Sequence, residues 1–181
     1  EERGKANGLS GIKRISTEEI KQYDPHAYGI DGLFVPQTGI VDYVAVTNKY
    51  AELIRENGGE IKTKSGLVSV KRDGKDFILF TEHDEYKTKF IVNCGGLRSD
   101  RIAKMFGVDP KLQIIPFRGE YFKLKKEKEY LVNNLIYPVP DIIFPFLGVH
   151  FTRMINGGVE AGPNAVLAFK REGYKKTDFS L

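Results

Sequence analysis

A chain of 181 residues, of which 41% are hydrophobic and 12% aromatic, is long enough to bury a core in one large domain or in two lobes. Its formal net charge of +4 comes from lysines spread along the sequence, a distribution that does not favour a nucleic-acid-binding protein. The single cysteine, Cys94, excludes an internal disulfide, and no zinc-type spacing occurs, so we expect an intracellular, metal-free protein.

The ends of the sequence and its apolar runs set further expectations. No apolar run is long enough to cross a bilayer, and no signal peptide is recognisable. The chain opens on EERGKANG without an initiator methionine, which indicates a piece of a longer protein. We therefore expect part of the functional site to lie on flanking chain.

Helix and turn signals dominate the first third of the chain. Ser16 and Glu19 form a capping box, which predicts a short helix that ends just ahead of an Asp-Pro pair. The following GLFVPQTGIVD predicts a strand and a turn. A helical repeat of apolar residues then begins after Asp42, the predicted N-cap, and stops at Gly58-Gly59.

Short strands are predicted in the middle of the chain, in EIKT, LVSVKR, DFILFTE and YKTKFIVNC. Asp73-Gly74 between the second and third of these predicts a hairpin. The apolar end of YKTKFIVNC predicts a buried strand. A helix followed by several strands is typical of α/β or α+β proteins.

A glycine turn follows the predicted buried strand in the sequence VNCGGLRSD. Gly95 and Gly96 break the strand, and Ser99 is predicted to cap a helix that stops at Gly107. Such a turn lets a phosphate or sugar approach bare backbone amides, although a tight strand-to-helix connection needs glycine equally. No complete dinucleotide fingerprint or P-loop occurs, so residues outside this sequence would hold most of any nucleotide.

The last third of the chain predicts antiparallel sheet. IIPFRGEYFKLK is interpreted as two strands bent at Arg118-Gly119, with one wet face. FLGVHFTRMI and GVEAG flank Asn156-Gly157, a strong hairpin signal, so residues from about Lys111 onward form an antiparallel layer. The predicted fold class is α+β, that is, mixed α/β.

Three prolines precede a predicted strand that contains one histidine and one arginine. Pro138, Pro140 and Pro145 fix φ and remove backbone donors, which predicts a rigid loop before the hairpin. His150 and Arg153 follow in an apolar strand, where a period of two places them on opposite faces. The alternative to a binding surface is a hydrogen-bonded structural histidine and an arginine whose stem covers apolar surface.

Five segments, IVNCGGLRSDRIA, IPFRGEYF, NLIYPVP, FPFLGVHFTRM and GPNAVLAFKREGY, resemble the L-2-hydroxyglutarate dehydrogenase/oxidase family. These are FAD-dependent flavoproteins of the D-amino-acid-oxidase-like superfamily, and the resemblance runs from Gly11 to the C-terminus. It implies oxidation of L-2-hydroxyglutarate to 2-oxoglutarate by hydride transfer to the flavin.

The resemblance also implies two lobes. Residues 38–110 are expected to form part of a glutathione-reductase-type FAD-binding lobe, and residues 11–37 with 111–175 an antiparallel substrate-binding lobe. The family's N-terminal glycine fingerprint and C-terminal flavin segment fall outside this sequence. The fragment alone is therefore expected to be inactive and to bind no FAD. Gly95, where many relatives have alanine, is a small departure from the pattern.

The implied chemistry selects candidate catalytic residues. The base that takes the hydroxyl proton suits histidine, and we favour His150, with His26 second. The two substrate carboxylates suit bidentate arginines. We favour Arg153 and Arg118 over Lys170 and Arg171, because strands position side chains better than a tail does.

Further candidates follow from the same resemblance. Tyr121 and Tyr137 are candidates for hydrogen bonds to the substrate, although packing is the more common role for any one tyrosine. The residues predicted to contact FAD lie on one strand and on the glycine turn: Val68, Cys94, Gly95, Gly96 and Leu97. For Val68, an ordinary strand position is an equal alternative.

The predicted partners are a small dicarboxylate hydroxy acid and, as electron acceptor, oxygen or a quinone, with no nucleic acid. We expect a cytoplasmic protein, with peripheral association with the inner membrane as a variant. One alternative is another flavoenzyme of the superfamily, acting on an amine or a glycerol phosphate. The other is a non-enzymatic basic binding module with acidic partners.

Overall fold

The computed structural model describes residues 1–139 and 148–180. Pro140 and Pro145 of the predicted rigid loop lie outside these described residues. The chain divides into two compact units, of which the first contains residues 1–46 and 118–166 and the second residues 47–117 and 167–181. Helices and antiparallel sheets occur together, which confirms the predicted mixed α/β class.

The first unit begins with two helices and a two-stranded antiparallel sheet: α1 (Glu2–Ala6), β1 (Lys13–Ser16), α2 (Thr17–Tyr23) and β2 (Asp31–Phe34). The predicted capping box is confirmed. Glu19 N donates to Ser16 Oγ at 3.3 Å, and Ser16 N donates to Glu19 Oε2 at 2.9 Å. Asp24, at the C-terminal end of α2, is buried.

The same unit contains a three-stranded sheet in the order β6-β8-β7, formed by β6 (Phe117–Lys123), β7 (His150–Arg153) and β8 (Val159–Leu167). The hairpin predicted at Asn156-Gly157 is confirmed. The bend predicted at Arg118-Gly119 is wrong, because β6 runs through both residues. A Cβ on Gly119 would lie 3.2 Å from Pro163 Cβ, so this glycine permits a close approach of strands rather than a bend.

The second unit takes most of α3 together with a strand meander and a short helix: α3 (Tyr43–Glu56), β3 (Ser69–Asp73), β4 (Asp76–Phe80), β5 (Glu85–Thr88) and α4 (Ser99–Met105). Asp42 caps α3 as predicted, since its Oδ1 accepts from Val44 N at 2.9 Å and Ala45 N at 3.2 Å. Gly58, at φ 76°, follows the helix end, which confirms the predicted stop.

The meander confirms one strand prediction and overturns another. β3 and β4 pair with Asp73 opposite Asp76, as the Asp73-Gly74 signal predicts. The predicted strand YKTKFIVNC is wrong beyond Thr88, and Phe90 and Val92 are 87% and 84% exposed. The ladder ends because Thr88 pairs with Phe77, one residue from the start of β4. Residues 60–63, also predicted as a strand, have none.

The start of α4 differs from the prediction. Ser99 is its first residue rather than its cap, and its hydroxyl donates to the Gly96 carbonyl at 2.8 Å. A 3-10 turn over Gly96–Arg98 leads into the helix. Gly107, at φ 74°, follows its end, as predicted. None of the helices in the described chain is long and apolar enough to span a bilayer.

Candidate functional site

Two tyrosine side chains lie on the same face of the β6-β8-β7 sheet as His150. His150 pairs with Gly162 across β7 and β8, so both point to the same face. A Cβ on Gly162 would lie 2.5 Å from Tyr121 Cδ1, so the Tyr121 ring covers that glycine. The Tyr137 ring stacks on His150 with centroids 4.5 Å apart and planes 24° apart. We call Tyr121, Gly162, His150 and Tyr137 the histidine face.

The imidazole of His150 is held in one orientation. Its Nδ1 lies 3.0 Å from the Gly148 carbonyl oxygen, which can only accept, so Nδ1 carries the proton in this contact. In the neutral ring Nε2 is then the acceptor. A Cβ on Gly148 would lie 2.7 Å from Pro138 Cγ, so only glycine lets the proline pack here. This tautomer leaves His150 able to take a proton at Nε2.

A buried carboxylate fixes the segment that carries Tyr137. Asp24 is 4% exposed and accepts from Asn133 N at 2.6 Å, Asn134 N at 3.1 Å and Asn134 Nδ2 at 2.9 Å. Sequence reasoning missed this residue, because an Asp before Pro indicates only a helix stop. The bonds span more than a hundred residues, and no local signal in the sequence indicates them.

The same segment pairs with the strand that carries His150. Ile136 N donates to the Phe151 carbonyl at 3.1 Å, and Phe151 N donates to the Ile136 carbonyl at 2.9 Å. Tyr137 comes directly after this pair, and His150 directly before it. The histidine face therefore depends on Asp24 for the position of Tyr137.

The two favoured arginines lie on the opposite face, because side chains alternate along each strand. Arg153 Nη1 donates to the carbonyl of the buried Val132 at 2.5 Å. This acceptor is neutral, so the contact does not offset the positive charge of the arginine. Arg118 pairs with Glu120 at 2.7 Å, which offsets its charge. The assignment of either arginine to a substrate carboxylate stays a prediction.

Two other polar side chains complete the description of this unit. His26 is exposed and packs edge-on against Tyr130 with ring centroids 5.5 Å apart. Its role as second-choice base stays a prediction. Lys123 is on the same face as Tyr121, two residues along β6, but its Nζ lies 3.7 Å from a Cβ built on Gly158, in the β7–β8 turn and away from His150. Lys123 is exposed at the last residue of β6.

The glycine turn of the second unit presents backbone amides. The Gly95 carbonyl accepts from Arg98 N at 2.9 Å, and the Gly96 carbonyl accepts from Ser99 Oγ. The Gly96 amide shares a peptide group with the Gly95 carbonyl, and the Leu97 amide shares one with the Gly96 carbonyl. Because N–H and C=O point in opposite directions in a trans peptide, these two amides point away from the hydrogen bonds that the carbonyls accept. Gly96 has φ 51°, and apart from its chain neighbours no atom of the described residues lies within 4 Å of its Cβ position, so it is open to solvent.

The remaining predicted flavin contacts are accessible. Cys94 is exposed, and Leu97 is 39% exposed. A Cβ on Gly95 would lie 2.3 Å from Ile102 Cδ1, so an alanine here requires that side chain to move. Val68 is 55% exposed just before β3. The open turn fits a ligand that approaches backbone amides, and each of these contacts stays a prediction.

A buried ion pair between Arg171 and Asp100 contacts the glycine turn. Arg171 Nη1 and Nη2 donate to the two Asp100 carboxylate oxygens at 2.6 and 3.0 Å, and Arg171 Nη1 also donates to the Leu97 carbonyl. Their side chains are 11% and 3% exposed. Hydrogen bonding from Arg171, with further bonds from the Ile114 and Arg101 amides, lowers the pKa of Asp100 to about 2 from its ordinary 3.8.

This pKa predicts an acid-dependent contribution to stability. A depressed carboxyl pKa stabilises the folded state above pH 3.8, and the contribution is lost as pH falls through about 2. We expect the Tm of the full-length protein to exceed that of the Asp100→Asn variant above about pH 4, with the difference shrinking towards pH 2. Thermal unfolding followed by circular dichroism measures both. A difference that does not change with pH contradicts this role of the ion pair.

Residues 1–179 match the DAO family, described as FAD dependent oxidoreductase. The chain belongs to this family. Among curated relatives, it is 54% identical over 181 residues to L-2-hydroxyglutarate dehydrogenase of Indibacter alkaliphilus, with 99% of this chain and 45% of the relative covered. It is 46% identical to the Escherichia coli enzyme of the same name, covering 99% and 43%, and 45% identical to the mitochondrial enzyme of Homo sapiens, covering 99% and 41%.

This member of the DAO family therefore spans less than half the length of the curated relatives it matches. Among solved structures, L-proline dehydrogenase from P. horikoshii superposes with a TM-score of 0.76 at 20% identity, covering 91% of this chain and 44% of that one. This likeness establishes the fold. The mixed α/β fold class and the D-amino-acid-oxidase-like, FAD-dependent family expected from the sequence are thus confirmed.

Proposed function

We propose that the full-length protein oxidises L-2-hydroxyglutarate to 2-oxoglutarate with FAD as its cofactor. Membership of the FAD dependent oxidoreductase family and the names of the relatives support the reaction class and the substrate. The single structural observation that carries the proposal is the contact between His150 Nδ1 and the Gly148 carbonyl oxygen at 3.0 Å. Because the carbonyl can only accept, Nδ1 is the donor, which leaves Nε2 to accept a proton next to the Tyr137 ring.

FAD, when bound, would supply the acceptor for the hydride that leaves the substrate carbon. The glycine turn fits such a group, because Gly96 is open to solvent and the Gly96 and Leu97 amides point away from the hydrogen-bonded carbonyls of the turn. We assign Gly96 and Leu97 to polar contacts with the cofactor, and Val68, Cys94 and Gly95 to packing against it.

In the proposed reaction, His150 Nε2 removes the proton of the substrate hydroxyl. The O–H electron pair forms the new carbonyl bond as the hydrogen on the same carbon leaves with its own electron pair. The proton remains on the imidazole, which then carries a positive charge. The Gly148 carbonyl keeps its Nδ1 donor throughout, so the ring does not have to turn during the step.

The histidine face also supplies groups that can orient a dicarboxylate. The Tyr137 ring stacks on His150, the Tyr121 ring extends from Gly162 to Gly119 on the same face, and both tyrosines are 53% exposed. Each hydroxyl is a hydrogen-bond donor. We propose that these two hydroxyls contact the substrate directly. Arg153 then acts through Val132 as a positioning residue, and a direct contact by Arg153 or Arg118 remains the alternative proposal.

We propose oxygen or a quinone as the final electron acceptor, and a cytoplasmic protein with peripheral association with the inner membrane as the corresponding location. Both follow from the family resemblance. Reoxidation of the reduced full-length enzyme by air-saturated buffer, compared with reoxidation by a soluble quinone under argon, distinguishes the two acceptors.

Product formation tests the proposed activity. The full-length enzyme, incubated with L-2-hydroxyglutarate and an artificial electron-accepting dye, is expected to form one 2-oxoglutarate for each substrate consumed. Mass spectrometry identifies the product, and dye reduction gives the electron count. A full-length preparation that contains stoichiometric FAD and forms no 2-oxoglutarate contradicts the proposal.

A further inference from the structure

The Arg171 guanidinium joins two parts of the second unit that are far apart in sequence. It contacts Leu97 and Asp100, more than seventy positions earlier in the chain. The C-terminal segment around it is held independently, since Ala168 N donates to the Pro116 carbonyl at 3.0 Å and Gly173 is buried. Arg171 therefore reaches the glycine turn from an anchored backbone.

Three successive carbonyls of the glycine turn are occupied in three different ways. The Gly95 carbonyl accepts from a backbone amide within the turn, and the Gly96 carbonyl accepts from both the amide and the hydroxyl of Ser99. The Leu97 carbonyl accepts from Arg171, which belongs to a distant segment of the chain. The orientation of the last peptide in the turn therefore depends on that side chain.

Asp100 makes this contact directional. Its two oxygens accept from both terminal nitrogens of Arg171, which fixes the plane of the guanidinium. Asp100 Oδ2 also accepts from Ile114 N at 3.2 Å, which fixes the carboxylate in turn. A lysine at position 171 retains the charge, but its single ammonium lacks the planar fork that serves the Leu97 carbonyl and both carboxylate oxygens together.

We infer that Arg171, oriented by Asp100, is a positioning residue for FAD, acting by holding the Leu97 carbonyl so that the glycine turn presents its amides to the cofactor. This inference rests on the proposed function, which assigns the turn to FAD. It gives Arg171 a task different from binding the substrate carboxylate. Loss of the guanidinium frees the turn without removing any group that touches the flavin.

FAD titration of the full-length apoprotein tests the inference. We expect Arg171→Met to raise the Kd for FAD by about tenfold to a hundredfold, since a misplaced binding group costs up to two orders of magnitude. Quenching of flavin fluorescence gives the Kd, and the visible spectrum of the bound flavin is expected to shift. Arg171→Lys is expected to recover part of the affinity.

Glu172→Gln is the matched control. It removes the exposed pair with Arg98, which joins the same two segments at 2.8 Å without touching Leu97 or Asp100. We expect it to change the Kd by less than about threefold. If Arg171→Met does not fold, the Kd for FAD of an Arg171→Lys variant that has a wild-type circular dichroism spectrum tests the inference. A wild-type Kd and flavin spectrum in the folded Arg171 variants overturns the inference, whereas a wild-type apoprotein that binds no FAD overturns the proposed function itself.

Discussion

Replacing His150 with glutamine is expected to lower kcat of the full-length enzyme by about a hundredfold to ten-thousandfold, the usual contribution of a general base. Glutamine retains a donor that can reach the Gly148 carbonyl, so the local packing of β7 is largely kept. What is lost is the basic Nε2. Steady-state oxidation of L-2-hydroxyglutarate with a dye acceptor, normalised to bound flavin, measures the change.

His83→Gln is the control for this experiment. The His83 side chain is 77% exposed in the β4–β5 turn, and we expect its replacement to leave kcat unchanged. A His150→Gln enzyme that retains wild-type kcat shows that His150 has a structural role. His26→Gln, the second-choice base, is then the variant in which the large loss is expected.

Replacing Asp24 with alanine is expected to lower the free energy of unfolding by about 2 to 4 kcal/mol, because hydrogen bonds to a buried charged acceptor are each worth more than neutral ones. The variant loses the acceptor for two backbone amides and one side-chain amide. It also frees the segment that carries Tyr137, so kcat/KM is expected to fall along with stability. Urea unfolding followed by circular dichroism gives the first quantity, and steady-state kinetics gives the second.

Two further variants serve as controls for the Asp24→Ala experiment. Asp24→Asn retains one acceptor oxygen and is expected to lie between wild type and Asp24→Ala in stability. Asp31→Asn changes an exposed carboxylate in the same unit that pairs with Arg14, and we expect little effect on the unfolding midpoint. The positioning role is contradicted if Asp24→Ala and Asp31→Asn unfold at the same urea concentration.

Local signals were the predictable part of this fold. The Ser16–Glu19 capping box, the Asp42 cap and the turn at Asp73-Gly74 each depend on residues within a few positions of one another, and all three occur in the structure. Patterns of this kind determine where elements begin and end. They do not determine which elements meet.

The errors came from contacts that are distant in sequence. The apolar residues after Thr88 satisfy the pattern of a buried strand, but β4 offers no further partner, so Phe90 and Val92 remain exposed in the described chain. Gly119 was interpreted as a bend, whereas Pro163 from another strand explains the glycine. Pairing partners, rather than local propensity, decided both cases.

The candidate site was predictable in its residue types but not in its arrangement. His150, Tyr121 and Tyr137 come together on one face, and alternation already separated His150 from Arg153. The roles of Asp24 and Arg171 were not predictable, because each acts through bonds to a remote segment. Arg171 in particular was considered only as a cation of the C-terminal tail.

Anaerobic reduction of the flavin in the full-length protein tests the proposed activity most directly. The oxidised enzyme is mixed under argon with L-2-hydroxyglutarate, with its D enantiomer, with L-lactate and with L-proline, and the visible flavin absorbance is followed. The proposed function predicts complete bleaching by L-2-hydroxyglutarate, and little or none by the other three compounds. A flavin that L-2-hydroxyglutarate leaves oxidised, and that L-proline reduces, contradicts it.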